Sequence, residues 1–308
     1  MKKILLIGGN GYIGSFLSLN LVDKYTIKIV DINWFNDISD TSLDFKNLGD
    51  DYIKDFDAVI LLAGHSSVKM CDTDMMSSFN NNVNNFINLV SKIGKNQKFI
   101  YASSSSVYGH TGNSIVDETY KVFEPNNYYD LSKQVIDMYV TKNDINYYGL
   151  RFGTVNGWSP RLRTDIMINA MVNSAKTDGH IKLYIKDIMR PILGIKDLCR
   201  AIEAIINCDI DKRGIYNLAS FNNTSEGIAK GVSSIMNMPV IEYNVLDLEK
   251  ITNVKLQTSA YNFAIDSSKF EREFNFKFNE SIESITKSLI DGFDNCDKTN
   301  RNIIKKYE

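Results

Sequence analysis

The chain has 308 residues and a formal net charge of −2, and it contains no Lys/Arg cluster that would indicate a nucleic-acid partner or a membrane surface. No apolar run approaches the roughly 20 residues that cross a bilayer, and the N-terminus enters the first predicted strand without room for a signal peptide. Four cysteines without paired spacing and three scattered histidines indicate free thiols rather than disulfides or a metal site, so we expect a cytoplasmic protein without a metal.

The first predicted element is a strand, turn and helix at the N-terminus. The apolar run Ile4–Ile7 predicts a buried parallel strand, and a helical pattern opens at Gly11. Gly8, Gly11 and Gly14 would permit a tight turn, close approach of the backbone to a pyrophosphate, and close helix–strand packing. The N–H groups at the helix start would then face the phosphate charge. A plain glycine turn is the structural alternative, but the flanking strand and helix favour a dinucleotide site.

The second predicted strand covers residues 26–30 and ends on Asp31, about twenty residues after the glycines. A carboxylate at this position can accept both hydrogen bonds of the adenosine ribose, and it repels a 2′-phosphate. No Arg or Lys follows directly to accommodate such a phosphate. The structural alternative is a solvated Asp at a strand end. With the glycines in place, Asp31 predicts NAD(H) as the cofactor rather than NADP(H).

Strands and helices then alternate as far as Gly153. A short strand is expected before Leu43. The further strands are predicted at 57–63, 97–102 and 146–152, and the intervening helices at 72–92 and 128–141. This alternation predicts a doubly wound parallel α/β sheet with right-handed crossovers, in which ligands bind at the carboxyl ends of the strands.

Beyond Gly153 the regular alternation fails. Helices are predicted at 165–175, 197–208 and 225–236, a short strand at 181–185, and a surface helix end at 301–308. We expect a cofactor-binding domain over residues 1–155, joined by later sheet strands from about 186–220. Residues 156–308 would form mainly a smaller, interleaved α/β substrate-binding domain.

Tyr129 and Lys133 lie four residues apart, which places a phenol and an ammonium on one face of a predicted helix. The ammonium favours the phenolate, as does the positive nicotinamide ring of an oxidised cofactor. Tyr129 could then take the proton of a sugar hydroxyl while the carbon that bears this hydroxyl loses a hydride. Lys133 could also hold the nicotinamide ribose. An exposed helix face is the structural alternative for this common spacing.

A hydroxyl-rich turn follows the strand at 97–102. Ser104 lies four residues before Tyr108, where it could hydrogen-bond the same substrate hydroxyl, and Ser105 and Ser106 could share that task. A serine-rich loop that satisfies its own backbone is the alternative. The turn is the third component that the Tyr129–Lys133 pair needs to form a catalytic site.

Together these segments resemble the extended short-chain dehydrogenase/reductases, in particular the NAD-dependent epimerase/dehydratase family that acts on nucleotide sugars. The matching segments follow the family's order from residue 4 to about 220, and they are the glycine turn, Asp31, 43–44, 61–64, 82–83, 103–104, 107–109, 129–133, 150–151 and 190–197. The resemblance implies a Rossmann-type fold, tightly bound NAD, and a homodimer through the helices predicted at 72–92 and 128–141.

The resemblance also implies roles for individual residues. Ser104, Tyr129 and Lys133 would be catalytic, and Asp44 would lie near the adenine. Cofactor contacts are implied for Gly8, Asn10, Gly11, Tyr12, Ile13, Gly14, Asp31, Ile32, Asp44, Leu62, Ala63, Gly64, Asn82, Ser103, Tyr129 and Lys133. Substrate contacts are implied for His65, Ser104, Ser105, Thr154, Arg161, Arg163, Asn169 and Arg190, with Arg190 on the diphosphate of the nucleotide sugar.

The reaction is narrowed by residues that are missing from the sequence. Relatives that remove water across C5 and C6 place an Asp-Glu pair after the catalytic hydroxyl residue, where this chain has Ser105 and Ser106. Relatives that epimerise C3 and C5 use a Cys beside this turn, which is also absent. Oxidation at C4 remains, and it ends in release of a 4-keto sugar or in 4-epimerisation. The Ser-Pro-Arg-x-Arg segment at 159–163 is similar to a GDP-heptose 4-dehydrogenase branch in surface polysaccharide synthesis. A 4,6-dehydratase and a non-catalytic NAD-binding scaffold are the remaining alternatives.

Overall fold

The computed structural model describes residues 1–33, 42–122, 124–209, 212–244 and 261–299. Its strands are β1 (Lys3–Ile7), β2 (Thr26–Val30), β3 (Ala58–Leu61), β4 (Lys98–Ser104), β5 (Ile115–Val116), β6 (Asn146–Phe152), β7 (Thr154–Asn156), β8 (Arg161–Arg163), β9 (Ile181–Leu183), β10 (Met189–Gly194), β11 (Gly214–Leu218), β12 (Phe221–Thr224), β13 (Val240–Glu242), β14 (Ala264–Ile265) and β15 (Asp297–Thr299). Its helices are α1 (Tyr12–Leu21), α2 (Asp50–Lys54), α3 (Val68–Thr73), α4 (Met75–Phe79), α5 (Asn85–Val90), α6 (Tyr128–Val140), α7 (Met167–Asp178), α8 (Ile195–Asn207), α9 (Ser225–Met236), α10 (Ser268–Phe274) and α11 (Ile282–Gly292).

The central sheet has six strands in the order β2-β1-β3-β4-β6-β11, and every neighbouring pair is parallel. This confirms the predicted Rossmann-type doubly wound fold. The chain leaves β1 toward β2 on one side and returns to β3 on the other. A crevice therefore opens at the carboxyl ends of β1 and β3, which is where ligands bind in sheets of this kind.

The apolar run in β1 is explained by burial on both faces of the sheet. Ile4 and Leu6 belong to the core on the side of α1 and α8, whereas Leu5 and Ile7 belong to the core on the side of α5 and α6. Successive side chains of a strand point to opposite faces, so a strand covered on both sides must be apolar at every position. β1 is thereby held rigidly, with the glycine turn at its end.

The prediction of one long helix over 72–92 is wrong. The chain there is divided into α3, α4, a π-helical turn over Asn80–Asn84, and α5. Asp74 ends α3 with non-helical backbone angles, and its side chain accepts a hydrogen bond from the Ser77 N–H to cap α4. The π turn directs Asn82 inward, where it exchanges two hydrogen bonds with the backbone of His65. Asp, Ser and Asn compete with the helix for backbone hydrogen bonds, and π turns often mark functional sites.

The second half of the chain adds smaller sheets around the carboxyl edge of the central one. Within the expected 186–220 segment, β11 joins the central sheet, whereas β10 pairs with β7 and β12 in a three-stranded sheet. The predicted helices at 165–175, 197–208 and 225–236 are present as α7, α8 and α9. Near Leu43 there is an isolated bridge between Asp31 and Ser42, and the rest of that predicted strand and the terminal segment 301–308 lie outside the described residues.

None of the helices in the described part of the chain is long and apolar enough to cross a membrane.

Candidate active site

The glycine turn joins β1 to α1 in a space that side chains cannot enter. Gly8 has φ +84°, and a Cβ atom there would lie 2.5 Å from the backbone nitrogen of Ala63. A Cβ on Gly14 would lie 2.3 Å from the Gly8 carbonyl oxygen. The first turn of α1 therefore packs directly on the loop, and backbone N–H groups remain available at the helix start.

Asp31 is linked to this turn by its own hydrogen bonds. One carboxylate oxygen accepts from the Asn10 backbone N–H at 2.9 Å, and the other accepts from the Asn33 N–H at 3.0 Å. The Asn10 side chain in turn donates to the Asn33 side chain at 2.6 Å. Asp31 thus orders the loop, and it also lines a cavity.

Two cavities meet at the carboxyl edge of the central sheet. The larger one, about 670 Å³, is lined by Asp31, Ile32, Asp44 and Ala63 among others. The smaller one, about 280 Å³, contains the serine turn and the Tyr129–Lys133 pair. Residues shared by both walls are Gly8, Gly11, Leu62, Gly64 and His65. A dinucleotide fits this arrangement, with its adenosine half in the larger cavity and its pyrophosphate at the glycine turn.

Ser104, Tyr129 and Lys133 come together in the smaller cavity. Ser104 is the last residue of β4, and the other two lie in the first two turns of α6, which begins at the Asn127 cap. The hydroxyls of Ser104 and Tyr129 are hydrogen-bonded. The Lys133 ammonium donates to the Ala102 carbonyl oxygen at 2.6 Å, and its nitrogen lies 5.7 Å from the centroid of the Tyr129 ring.

The protonation of this group differs from the sequence-based expectation. Burial raises the pKa of Tyr129 to about 12, and the Ser104 hydroxyl only partly offsets this rise. Burial also lowers the pKa of Lys133 to about 8, so most of its side chains remain protonated at pH 7. Loss of water thus works against the phenolate that the Lys133 ammonium is expected to favour. At pH 7 a phenol with this pKa is ionised in only about one molecule in 10⁵.

The other serines of the turn have distinct partners. The Ser105 hydroxyl donates to the Phe152 carbonyl oxygen at 2.7 Å. The Ser106 hydroxyl lies 2.8 Å from that of Ser104 and donates to the buried carboxylate of Asp130. Asp130 is absent from the residues predicted above, although an acid directly after Tyr129 is a signal that the sequence carries.

Five of the expected substrate residues line the smaller cavity, namely His65, Ser104, Ser105, Thr154 and Arg163. Arg163 is held by a two-point contact with Asp165, at 3.0 and 2.7 Å. Arg161 instead pairs with Asp297 at 2.8 Å on the neighbouring strand β15.

Asn169 does not face the cavity, contrary to the expectation. Its side chain is buried, accepts from the Gly157 N–H, and donates to the Tyr12 hydroxyl and the Arg163 carbonyl oxygen. The Tyr12 hydroxyl itself donates to the Gly157 carbonyl oxygen at 2.8 Å. Both side chains therefore join α1 to α7, because every polar atom they bury needs a partner.

The remaining cofactor positions fall into two groups. Tyr12 and Ile13, at the start of α1, line the smaller cavity together with Ser103. The Ser103 hydroxyl is committed to Asp137 at 3.0 Å. Asn82 is buried below Gly64 and shapes the loop after β3 through its bonds to His65, so it supports the cavity wall from behind.

Arg190 lies on β10 with its guanidinium 5.7 Å from the ring centroid of Phe263, which lines the smaller cavity. Its Nη1 donates to the Met189 carbonyl oxygen at 3.2 Å. Burial lowers the pKa of Arg190 to about 10. Among the residues that the structure describes, no carboxylate forms an ion pair with this side chain. A buried cation of this kind is suited to an anionic ligand.

The comparisons with known proteins agree with this geometry. The model of the NAD dependent epimerase/dehydratase family matches residues 4–219. The chain is 27% identical over 232 residues to protein CapI of Staphylococcus aureus, covering 66% of this chain and 69% of that protein. It is 28% identical over 272 residues to the UDP-glucose 4-epimerase of Mycoplasma genitalium, covering 72% and 78%.

Among solved structures, the fold is similar to that of a UDP-N-acetylglucosamine 4-epimerase from Methanobrevibacter ruminantium M1 in complex with UDP-N-acetylmuramic acid. The TM-score is 0.80 at 20% identity, and the match covers 94% of this chain and 98% of that one. The similarity extends over both the central sheet and the second half of the chain.

Proposed function

Because the chain belongs to the NAD-dependent epimerase/dehydratase family, we propose that it oxidises and reduces C4 of a nucleotide diphosphate sugar with NAD as its cofactor. The proposal rests above all on the convergence of Ser104, Tyr129 and Lys133 in a cavity that adjoins the glycine turn. A hydroxyl, a phenol and an amine in one buried group are the components of proton transfer to and from an alcohol.

The residues present fit NAD. A Cβ at Gly8 or Gly14 would collide with backbone atoms, so only glycine fits at these two positions. Glycines that allow such close backbone approach are what a pyrophosphate site requires. Asp31 and Ile32 would hold the adenosine ribose, Asp44 would lie near the adenine, and Lys133 would hold the nicotinamide ribose. NAD supplies the hydride acceptor when it is bound.

The chain's own residues would perform the proton chemistry. Ser104 would orient the C4 hydroxyl, and Tyr129 would accept its proton. Tyr129 is half-buried in the wall of the smaller cavity, where a bound substrate would displace water from its hydroxyl. Because burial holds Tyr129 in its neutral form, proton transfer needs a positive charge nearby or a further acceptor.

The substrate would enter from the second half of the chain. Arg163 lines the smaller cavity and Arg190 lies against Phe263 in its wall, and we propose that Arg190 binds the diphosphate. Thr154 and Phe263 would contact the sugar or nucleotide. This division assigns the cofactor to the first half of the chain and the substrate to the second.

Two outcomes of C4 oxidation are considered. The 4-keto sugar is released in a 4-dehydrogenase, for which the 159–163 segment supports GDP-heptose and a role in surface polysaccharide synthesis. The ketone is re-reduced from its other face in a 4-epimerase. The names of two similar proteins, a UDP-glucose and a UDP-N-acetylglucosamine 4-epimerase, support this second outcome equally.

The decisive experiment is incubation of the purified protein with GDP-heptose, UDP-glucose and UDP-N-acetylglucosamine, followed by product analysis. A 4-keto product supports the dehydrogenase, and a C4 epimer supports the epimerase. If no sugar in a broad nucleotide-sugar panel yields a 4-keto product or a C4 epimer, the proposed function is wrong.

Retained cofactor is a first prediction. Because the Asp31 carboxylate repels a 2′-phosphate, denaturing the purified protein should release NAD or NADH with little NADP, measured by chromatography. The Asp31→Asn variant keeps an oxygen acceptor but loses the charge, so its ratio of NADP to NAD should rise. NADP as the main nucleotide of the unaltered protein would contradict this assignment.

A homodimer is a second prediction, derived from the family resemblance. Met75 at the start of α4 and Met138 near the end of α6 are exposed large apolar side chains on the helices implied to pair. A two-fold interface would cover these side chains in both subunits, since it uses the same surface on each subunit. We expect light scattering to give twice the 35.0 kDa chain mass. A monomer mass that does not change with concentration would argue against the interface.

A further inference from the structure

The buried carboxylate of Asp130 adjoins the serine turn, and the proposed chemistry does not use it. Asp130, in the first turn of α6, is 1% exposed. The Ser106 hydroxyl donates to one of its oxygens at 2.5 Å. The Asn127 side-chain amide and the Tyr261 hydroxyl donate to the other at 2.7 and 2.9 Å. Three donors hold this side chain in one orientation.

The hydrogen bonds determine which way the protons point. An ionised carboxylate can only accept, so the Ser106 proton is directed at Asp130. The Ser106 oxygen can then accept from Ser104, 2.8 Å away. The Ser104 oxygen accepts the Ser106 N–H at 3.2 Å and keeps a second lone pair for the Tyr129 hydroxyl. A continuous chain of donors therefore runs from Tyr129 through Ser104 and Ser106 to Asp130.

We propose that Tyr129, Ser104, Ser106 and Asp130 form a proton relay in which Asp130 stores the proton released from the substrate. The inference rests on the proposed function and adds to it the group that receives the proton. Because Asp130 acts only through other side chains, it is a positioning residue rather than a catalytic one.

The transfer balances along the relay. The substrate hydroxyl gives its proton to the Tyr129 oxygen as the hydride on the same carbon leaves to the nicotinamide cofactor. Tyr129 passes its own proton to Ser104, Ser104 to Ser106, and Ser106 to the carboxylate. Each hydroxyl loses one proton and gains one, so the net change is protonation of Asp130. Reduction of a ketone would run the same transfers backward.

The surroundings of Asp130 suit a proton store. Burial raises the pKa of Asp130, and its three donors partly oppose this. The carboxylate of Asp72, on α3, also raises the pKa of Asp130. The other titratable groups that face it are Tyr261, Tyr129 and the Cys71 thiol, whose pKa values burial also raises. None of these neighbours supplies a positive charge that would hold Asp130 ionised.

Asp130→Asn is the central test, because the amide keeps the size of the side chain but cannot store a proton. We expect single-turnover reduction of bound NAD at pH 7 to fall about 10- to 100-fold, with cofactor content and substrate affinity unchanged. The unaltered protein should lose rate as the pH falls through the Asp130 pKa. The variant should lack that step at the Asp130 pKa, and its rate should instead keep rising at alkaline pH as Tyr129 ionises.

Ser106 variants separate the relay from a merely structural effect. Ser106→Ala removes the connecting hydroxyl and should reproduce the changed pH profile, whereas Ser106→Thr should restore it. The matched control is Ser132→Ala on α6, the helix that also carries Asp130. The buried Ser132 hydroxyl donates to the Tyr129 backbone carbonyl and takes no part in the relay. An unchanged rate and pH profile in Asp130→Asn and Ser106→Ala would overturn the proposal.

An infrared titration tests the relay without turnover. A protonated buried carboxyl should appear as the pH of NAD-loaded protein is lowered, at a higher pH than for an ordinary Asp, and should vanish in Asp130→Asn. Its midpoint should move in Ser106→Ala and not in Ser132→Ala. Absence of that band overturns the relay even if sugars react, whereas a present band with no reacting sugar would refute only the proposed function.

Discussion

Tyr129→Phe should lower turnover by about 10²–10⁴, the usual contribution of a positioned acid–base group. The substitution removes only the hydroxyl that is proposed to accept the substrate proton. The ring is kept, and Lys133 keeps its bond to the Ala102 carbonyl oxygen. Nucleotide-sugar affinity should hardly change, since the substrate is proposed to be held by Arg190. Single-turnover reduction of bound NAD and substrate affinity are the two measurements needed.

Arg190→Ala is the matched contrast for that experiment. Loss of a charge-assisted contact should weaken substrate binding by about 1.5–3 kcal/mol, while cofactor content stays the same because this diphosphate belongs to the sugar. Hydride transfer at the wild-type rate in Tyr129→Phe would remove the phenol from the mechanism. It would leave Ser104 or a water as the base.

Gly14→Ala should weaken the retention of NAD. The new Cβ would lie 2.3 Å from the Gly8 carbonyl oxygen and 2.6 Å from the Gly9 Cα, and both neighbours are backbone atoms that cannot swing aside. The first turn of α1 must then move away from the loop. Losing one hydrogen bond to the pyrophosphate costs about 1.5–3 kcal/mol, so cofactor affinity should fall about 10- to 100-fold.

Stability should also fall in Gly14→Ala, despite the better helix propensity of Ala. Overpacking costs about 1–3 kcal/mol, whereas the propensity gain is about 1 kcal/mol. The control is Gly49→Ala, because a Cβ at Gly49 would meet no atom within 4 Å. Its NAD content and melting temperature should match those of the unaltered protein. Normal NAD content in Gly14→Ala would show that the turn does not hold the pyrophosphate.

Local patterns were enough to predict the fold and the position of the candidate site. The apolar run 4–7 and the alternation of strands and helices indicate a sheet that is buried on both faces. Each of these patterns can be recognised from neighbouring residues alone. The glycine spacing likewise reflects sterics within one turn. Tyr129 and Lys133 lie on one helix face by the geometry of any helix. These features are present before distant segments come together.

Only the tertiary structure decided which polar groups are paired and how the site is protonated. Tyr261 contacts Asp130, which lies 131 positions away in the sequence. Asn169 is hydrogen-bonded to Tyr12 and does not face the cavity. No local pattern records such contacts. The raised pKa of Tyr129 and the lowered pKa of Lys133 arise from burial beneath several segments of the chain. Sequence by itself thus determined the strands, the glycine turn and the catalytic residue types. Desolvation and hydrogen-bond partners depend on the packed whole, so the link from Asp130 to Ser104 is defined only in three dimensions.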